Sequence, residues 1–206
     1  STNERGNVND FEWCAEAVYS LAKVDDDRPS FPSSLARRLF GPKSVVLVPT
    51  MKAVAQLFTV NDSPVIAVRK SLSKQAREHA IGHELGHWIL RREGVRVDNE
   101  EEACDFIGAA IQARRHCFQA RARETRDLKQ LAFDFCITET NAALRIGEVT
   151  GEPVAVVAPH RVRARGEAWN WPDEPEIRRM ARRGAPGIVR TRLQDDARRV
   201  ALFAAL

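Results

Sequence analysis

The chain has no apolar run long enough to cross a bilayer. Its longest, Val45–Val48, Val154–Ala158 and Val200–Leu206, fall far below the ~20 residues a spanning helix needs, so no membrane partner is expected. No secretory signal pattern, internal repeat or low-complexity segment is present. The four cysteines, Cys14, Cys104, Cys117 and Cys136, make no C-x-x-C pair and follow no regular spacing. That usage fits a reduced, cytoplasmic compartment in which most of them are small buried apolar residues.

At 206 residues the chain suits one large domain or a modest domain with an appendage. Hydrophobic residues at 44% and charged residues at 29% exclude wholesale disorder. A chain of this size buries about 70% of its unfolded surface and needs no disulfide staples. Lys and Arg number 32 against 28 acids, and the excess is uneven. Residues 151–206 hold 11 arginines and 7 acids, whereas residues 1–150 balance. The last quarter is therefore either an anion-binding footprint or a salt-bridged surface with interspersed acids.

Residues 1–10 are polar and read as a flexible N-terminus. Asp10 caps a helix to about Lys23, and Ser33–Phe40 reads as a short helix closed by Gly41-Pro42. Three strands follow at Ser44–Pro49, Val54–Val60 and Pro64–Arg69, the last two joined by an Asn61-Asp62-Ser63 turn. Ser73 caps a helix to Arg92, stopped at Gly94. Asn99 with Glu102 makes a capping-box-like start for a helix to Arg123. Helices at Thr125–Phe135 and Glu139–Val149 precede a boundary at Gly151-Glu152-Pro153. The tail reads as strands at Val154–Ala158, Arg161–Arg165, Ile188–Leu193 and Arg198–Ala204 with a helix over Pro175–Arg183.

The chemistry sits in Ile81-Gly82-His83-Glu84-Leu85-Gly86-His87, which contains H-E-x-x-H. Two histidines at i and i+4 lie about 40° apart around a helix, so both imidazoles reach one metal ion. Glu84, about 100° from His83, sits beside the ion as a general base rather than a ligand. Ile81, Leu85, Trp88 and Ile89 form the core stripe, and both histidines point away from it. One zinc ion needs a third protein ligand and an open position, and the next helix opens with Glu100-Glu101-Glu102. Relative to an apolar face set by Ala103, Ile107 and Ile111, Glu100 projects at about 60°, Glu101 at about 160° and Glu102 at about 260°. Glu100 is the expected third ligand, Glu102 goes to the cap, and Glu101 stays in reserve. Zinc and manganese both remain open.

These segments, with Glu100-Glu101-Glu102-Ala103-Cys104-Asp105-Phe106, resemble the ImmA/IrrE family of bacterial gluzincin-type metallopeptidases over residues 40–160. In that family H-E-x-x-H is followed on the next helix by roughly E-x-E-A-[N/D]-x-F-A. The resemblance implies an α+β fold, with a gluzincin-like zinc peptidase domain of small β-sheet plus helix bundle over residues 11–150. A small, basic α/β sensor or regulatory domain would follow over 151–206. His83, His87 and Glu100 would be zinc ligands and Glu84 the catalytic base. The implied activity is a zinc endopeptidase that cleaves a partner helix-turn-helix repressor, switching on DNA-damage or phage-defence genes. The tail is similar to that of the CapP type of protease in anti-phage operons. The alternative is a non-catalytic, antitoxin-like regulatory protein that keeps the metal-site helix.

The chain departs from the family at Cys104, where Asn or Asp is usual, and at Ile107-Gly108, where Ala-Ala is typical. Cys104 is either a small packed residue or an inhibitory fourth zinc ligand one turn after Glu100. Tyr19, His79 and His160 are the candidates for an oxyanion donor. The strand Val65–Val68 would rim the cleft and pair with an extended substrate, unless it is interior. Arg161, Arg163, Arg165, Trp169 and Trp171 could bind single-stranded DNA as an activator, or serve as packing anchors. The segment 128–149 imitates helix-turn-helix spacing, but its second helix carries Arg145 as its one base, so helix packing is expected there instead of duplex reading.

Overall fold

A computed structural model describes residues 11–24, 30–165, 172–183, 188–193 and 200–204. Among these the fold is mixed α+β, with eight helices and two small sheets. The described residues cluster into two compact units. The first runs to Cys117 and takes in Phe135–Ile137; the second holds Phe118–Asp134 and everything from Thr138. The expected division at 150/151 thus falls inside the second unit.

In the first unit, α1 (Glu12–Leu21) and α2 (Pro32–Phe40) precede strands β1 (Val45–Val48), β2 (Ala55–Val60) and β3 (Ser63–Arg69). Asn61 and Asp62 both take positive φ, 48° and 61°, which is the two-residue hairpin geometry that folds β2 back on β3. β1 pairs in parallel with the other side of β3, giving the order β1-β3-β2. β3 is therefore interior, and the expectation that Val65–Val68 offers a free rim is corrected. Its Ile66 and Val68 are fully buried; β1 and β2 are the edges, and β2 is the one beside the cleft.

The sheet leads into α3 (Lys74–Arg92), capped by the Ser73 hydroxyl accepting from the Ala76 amide. Ile81, Leu85 and Ile89 are buried as the stripe predicts. Glu78 of α3 accepts from the amide and hydroxyl of Ser33, at 2.9 and 2.8 Å, and so satisfies the first turn of α2. Asn99 caps α4 (Glu100–Gln112): its Oδ1 accepts from the Glu102 amide and its Nδ2 donates to the Glu102 carboxylate. The helix stops at Gln112 rather than running to Arg123, with α5 (Arg115–Glu124) a separate element. The Tyr19 hydroxyl takes the Ile111 carbonyl at 2.7 Å, supplying the partner that a continuing helix would have given. Arg114, just beyond, forks onto Glu16 and lies 4.6 Å over the Tyr19 ring.

α3 and α4 touch backbone to backbone. A Cβ on Gly82 would meet the Gly108 carbonyl oxygen at 3.0 Å, and one on Gly86 would meet Cys104 Cα at 3.0 Å. A Cβ on Gly108 would stand 2.8 Å from the His83 amide nitrogen. Gly108 thus permits the close approach of α4 to the H-E-x-x-H helix.

The second unit contains α6 (Leu128–Asp134), α7 (Glu139–Thr150), β4 (Val154–Ala158), β5 (Arg161–Arg165), α8 (Glu174–Arg183), β6 (Ile188–Arg192) and β7 (Val200–Ala204). Its sheet is antiparallel throughout, in the order β5-β4-β7-β6. α7 packs on β4 and is buried along most of its length. Arg145 is 1% exposed and pairs with Glu148 at 3.2 Å, so the second helix of the helix-turn-helix mimic offers no exposed cation to DNA. Among the described residues no helix is long and apolar enough to cross a membrane.

Gly108→Ala should cost about 1–3 kcal/mol, because the new methyl meets backbone that cannot swing aside. Urea unfolding of the variant measures this; an unchanged midpoint contradicts the backbone contact.

Candidate metal centre

His83 and His87 project from the same side of α3, with ring centroids 4.8 Å apart and Nε2 atoms 3.1 Å apart. Each ring is held from behind by a different carboxylate. His83 Nδ1 lies 2.9 Å from Asp105 Oδ1, and His87 Nδ1 lies 2.6 Å from Glu100 Oε1. A carboxylate accepts, so in the neutral rings Nδ1 carries the proton and Nε2 presents a lone pair. Glu101 completes the set, its oxygens 3.3 Å from His83 Nε2 and 3.5 Å from His87 Nε2. Two imidazole lone pairs and a carboxylate pointed at one spot repel one another unless a positive charge lies among them. His83, His87 and Glu101 form a group that could hold a metal ion, and so do His87, Glu100 and Cys104. The first is the better centre, because in the second Glu100 already accepts the His87 Nδ1 proton.

Glu101, held in reserve, is the acid placed near both Nε2 atoms, whereas the expected third ligand, Glu100, lies against His87 Nδ1. The apolar stripe used to set the helix phase is not the face that meets α3. That face runs through Cys104 and Gly108, which lie against Gly86 and Gly82, and Glu101 and Asp105 flank it toward the histidines. Asp105 went unassigned in the sequence, although it stands four residues after Glu101. A carboxylate that accepts the Nδ1 proton commonly orients a ligand histidine. Counting from Glu100 put a cysteine in that position and made it look like a departure.

Cys104 is fully buried in the helix contact. Burial first, then the neighbouring Glu100 carboxylate, push its thiol well above the ordinary range. It packs against Gly86 where the two helices meet. Hydrogen bonding to Asp105 raises the His83 pKa above its ordinary value, against the opposing effect of burial. The bond from His87 lowers that of Glu100, assisted by Arg91 at 3.8 Å.

Glu84 does not join the ligand cluster. Its Oε2 accepts the Leu57 amide of the free edge strand β2 at 2.9 Å, a contact the sequence did not reveal. A cleft of about 450 Å³ beside Glu84 is also lined by Val54, Ala55, His79, His83 and Asp105. His79 thus lies where a donor is useful, its Nε2 3.8 Å from Asp105. Tyr19 does not: it is fully buried, its hydroxyl is committed to Ile111, and burial pushes its pKa up to about 12. His160 sits at the exposed β4–β5 turn of the second unit. Arg163 lies half-buried on β5; the side chains of Arg161 and Arg165, and residues Trp169 and Trp171, fall outside the described residues.

No family model matches the chain, and no curated protein matches it. A solved structure described as a Mycobacterium tuberculosis transcriptional regulator is similar to it at a TM-score of 0.65 and 16% identity. The match covers 96% of this chain and 88% of that one. The expectation of an endopeptidase that cleaves a repressor is corrected here. A protein of this fold over almost the whole length is described as a regulator, not as a protease.

Glu101→Ala should weaken zinc binding more than Glu100→Ala, whose loss of an orienting carboxylate costs about 10–100-fold. Chelator competition ranks the two, and the reverse order contradicts the assignment. The His83–Asp105 pair also carries a pH signature. Because the folded pKa of His83 is raised above 6.5, its stabilisation is complete below that value and is lost as pH rises through the raised one. The melting temperature of the metal-free chain should fall across that range, and Asp105→Asn should flatten the decline.

Proposed function

We propose that the chain is a transcription-regulatory protein whose first unit binds one divalent ion, zinc by its donor set, in a hydrolase-type centre. The observation that carries the metal reading is the convergence of His83 Nε2, His87 Nε2 and Glu101, with both Nδ1 atoms already spent on carboxylates. Nitrogen and carboxylate donors in a three-residue set suit zinc with one position left open. The regulatory half of the reading is supported by the description of the similar solved structure. The H-E-x-x-H helix, the acid on the following helix and the edge strand over the cleft support a gluzincin-like arrangement of the ImmA/IrrE kind. The four free cysteines suit a cytoplasmic setting.

An ion bound here would acidify a water molecule and polarise an oxygen. The chain's own residues do the rest. Asp105 and Glu100 hold the two rings so that both Nε2 atoms face the same point. Glu101 closes the set from α4, and the Gly82–Gly108 approach keeps α4 within reach. Glu84, tied to the Leu57 amide, stays beside the ligands with a carboxylate able to take a proton at Oε1 or Oε2 and return it. A purely structural ion has no use for that carboxylate, which is why the centre reads as hydrolase-type.

The test pairs metal content with transcript profiles. Wild type should bind one zinc per chain, and His83→Ala with His87→Ala should abolish both that binding and any change the protein makes in cellular RNA. Glu84→Gln should keep the metal affinity within about threefold and lose the regulatory effect if water activation drives it. Wild-type protein that binds no zinc at micromolar concentration contradicts the proposal.

A further inference from the structure

The three-stranded sheet of the first unit has two faces, and one of them is covered by helices. Ile66 and Val68 of β3 turn inward and are fully buried, and Val45, Ala55 and Leu57 pack on the same core. Side chains alternate along a strand, so Val65 and Ala67 of β3 point the other way. The register sets Val46 of β1 and Gln56 of β2 beside Ala67, and Phe58 of β2 beside Val65. Val60, two residues after Phe58, continues the same face. Val46, Phe58, Val60, Val65 and Ala67 all lie outside the buried cluster that holds Ile66 and Val68. Val46 is 45% exposed, Phe58 41% and Val60 52%. Apolar residues scattered singly on a surface are ordinary, but these are neighbours across three strands.

The charge around this face has one sign. Residues 41–72, which contain the sheet, hold the cations Lys43, Lys52, Arg69 and Lys70 and a single acid, Asp62. Three of the four cations gather at one end. Arg69 stands beside Val48 in register, and its Nη2 donates to the carbonyls of Lys52 and Ala53, which draws that loop in. The Lys70 amide donates to the Val48 carbonyl at 2.9 Å. Lys52 and Lys70 are exposed, and neither joins an ion pair among the described residues. Asp62 lies at the opposite end, in the β2–β3 turn.

Size limits what can cover the face. Two strand spacings make it about 10 Å wide, and five residues make it about 17 Å long. A second folded copy of the chain needs about 800 Å² on each partner for a stable interface, several times what the face offers. One α-helix of about twelve residues, about 10 Å across and about 18 Å long, fits it. A helix is also the layer that a sheet covered on one side takes on the other.

We propose that the outer face of the β1-β3-β2 sheet docks one amphipathic helix of a partner protein, with acidic residues at the end that lies over Lys52, Arg69 and Lys70. Its apolar stripe covers Val46, Phe58 and Val60, and its carboxylates meet ammonium groups that have no partner in the chain. A helix C-terminus at that end adds its partial negative charge. The surface lies on the other side of the sheet from α3, so the inference does not depend on the metal centre.

The experiment uses the full chain and three fluorescein-labelled peptides of about sixteen residues. The first carries leucine along one helical face and glutamate in its last turn, the second has lysine in place of glutamate, and the third is a scramble of the first. Anisotropy should show the glutamate peptide binding at least about tenfold tighter than the other two, and difference circular dichroism should show it helical when bound. Phe58→Lys with Val60→Lys, both at exposed positions, should weaken that binding at least about tenfold. Lys52→Glu with Lys70→Glu should reverse the preference toward the lysine peptide. Equal binding of the three peptides, no binding at about 1 mM, an extended bound peptide, or variants that behave like wild type would overturn the proposal. So would self-association of the chain that Phe58→Lys abolishes, or binding to phosphatidylserine vesicles in preference to the peptide.

Discussion

α3 and α4 meet where a side chain cannot stand between them: a Cβ on Gly108 would lie 2.8 Å from the amide nitrogen of His83. The residues of the proposed centre come from both helices, two histidines and Glu84 from one, Glu101, Asp105 and Glu100 from the other. Carboxylate side chains are short, and the ligand and hydrogen-bond distances of 2.6–3.5 Å close only because the backbones approach. Glycine on α3 at positions 82 and 86 sets one side of that approach, Gly108 and the Cys104 backbone the other. The clasp of Arg114, Glu16 and Tyr19 at the far end of α4 fixes its attachment to α1.

On that spacing rests an electrostatic arrangement with an inner and an outer layer. The outer carboxylates, Asp105 and Glu100, each take one Nδ1 proton and so choose the tautomer of the ring in front of them. The inner atoms, two Nε2 and the Glu101 oxygens, are left as convergent donors. Cys104 sits in the middle of the helix contact, where burial and the surrounding acids push its thiol pKa up. It serves as a small side chain that lets Gly86 come close.

Most elements of the fold could be read from local signals. Ser73 and the Asn99/Glu102 pair marked helix starts because capping is a matter of two or three neighbouring residues, and both caps form. The H-E-x-x-H face was legible for the same reason, since the phase of a long helix follows from its apolar stripe. The first turn of α4 was not. Its apolar stripe records packing on more than one neighbour, and the face that meets α3 differs from it in phase, which brings Glu101 rather than Glu100 toward the two Nε2 atoms. The interior position of β3 was equally hidden, because the parallel partner β1 is distant in sequence and pairing order leaves no local mark. The end of α4 at Gln112 depends on Tyr19, 92 residues away from Ile111. A contact at that range cannot be seen in a window of sequence.

The central claim is that one ion is held by His83, His87 and Glu101, with neither Cys104 nor Glu84 in the ligand set. Zinc-edge X-ray absorption on the loaded wild-type chain tests this most directly. The account predicts two imidazole nitrogens and otherwise light oxygen or nitrogen scatterers. A sulfur shell at about 2.3 Å, or a spectrum with fewer than two imidazoles, would contradict it.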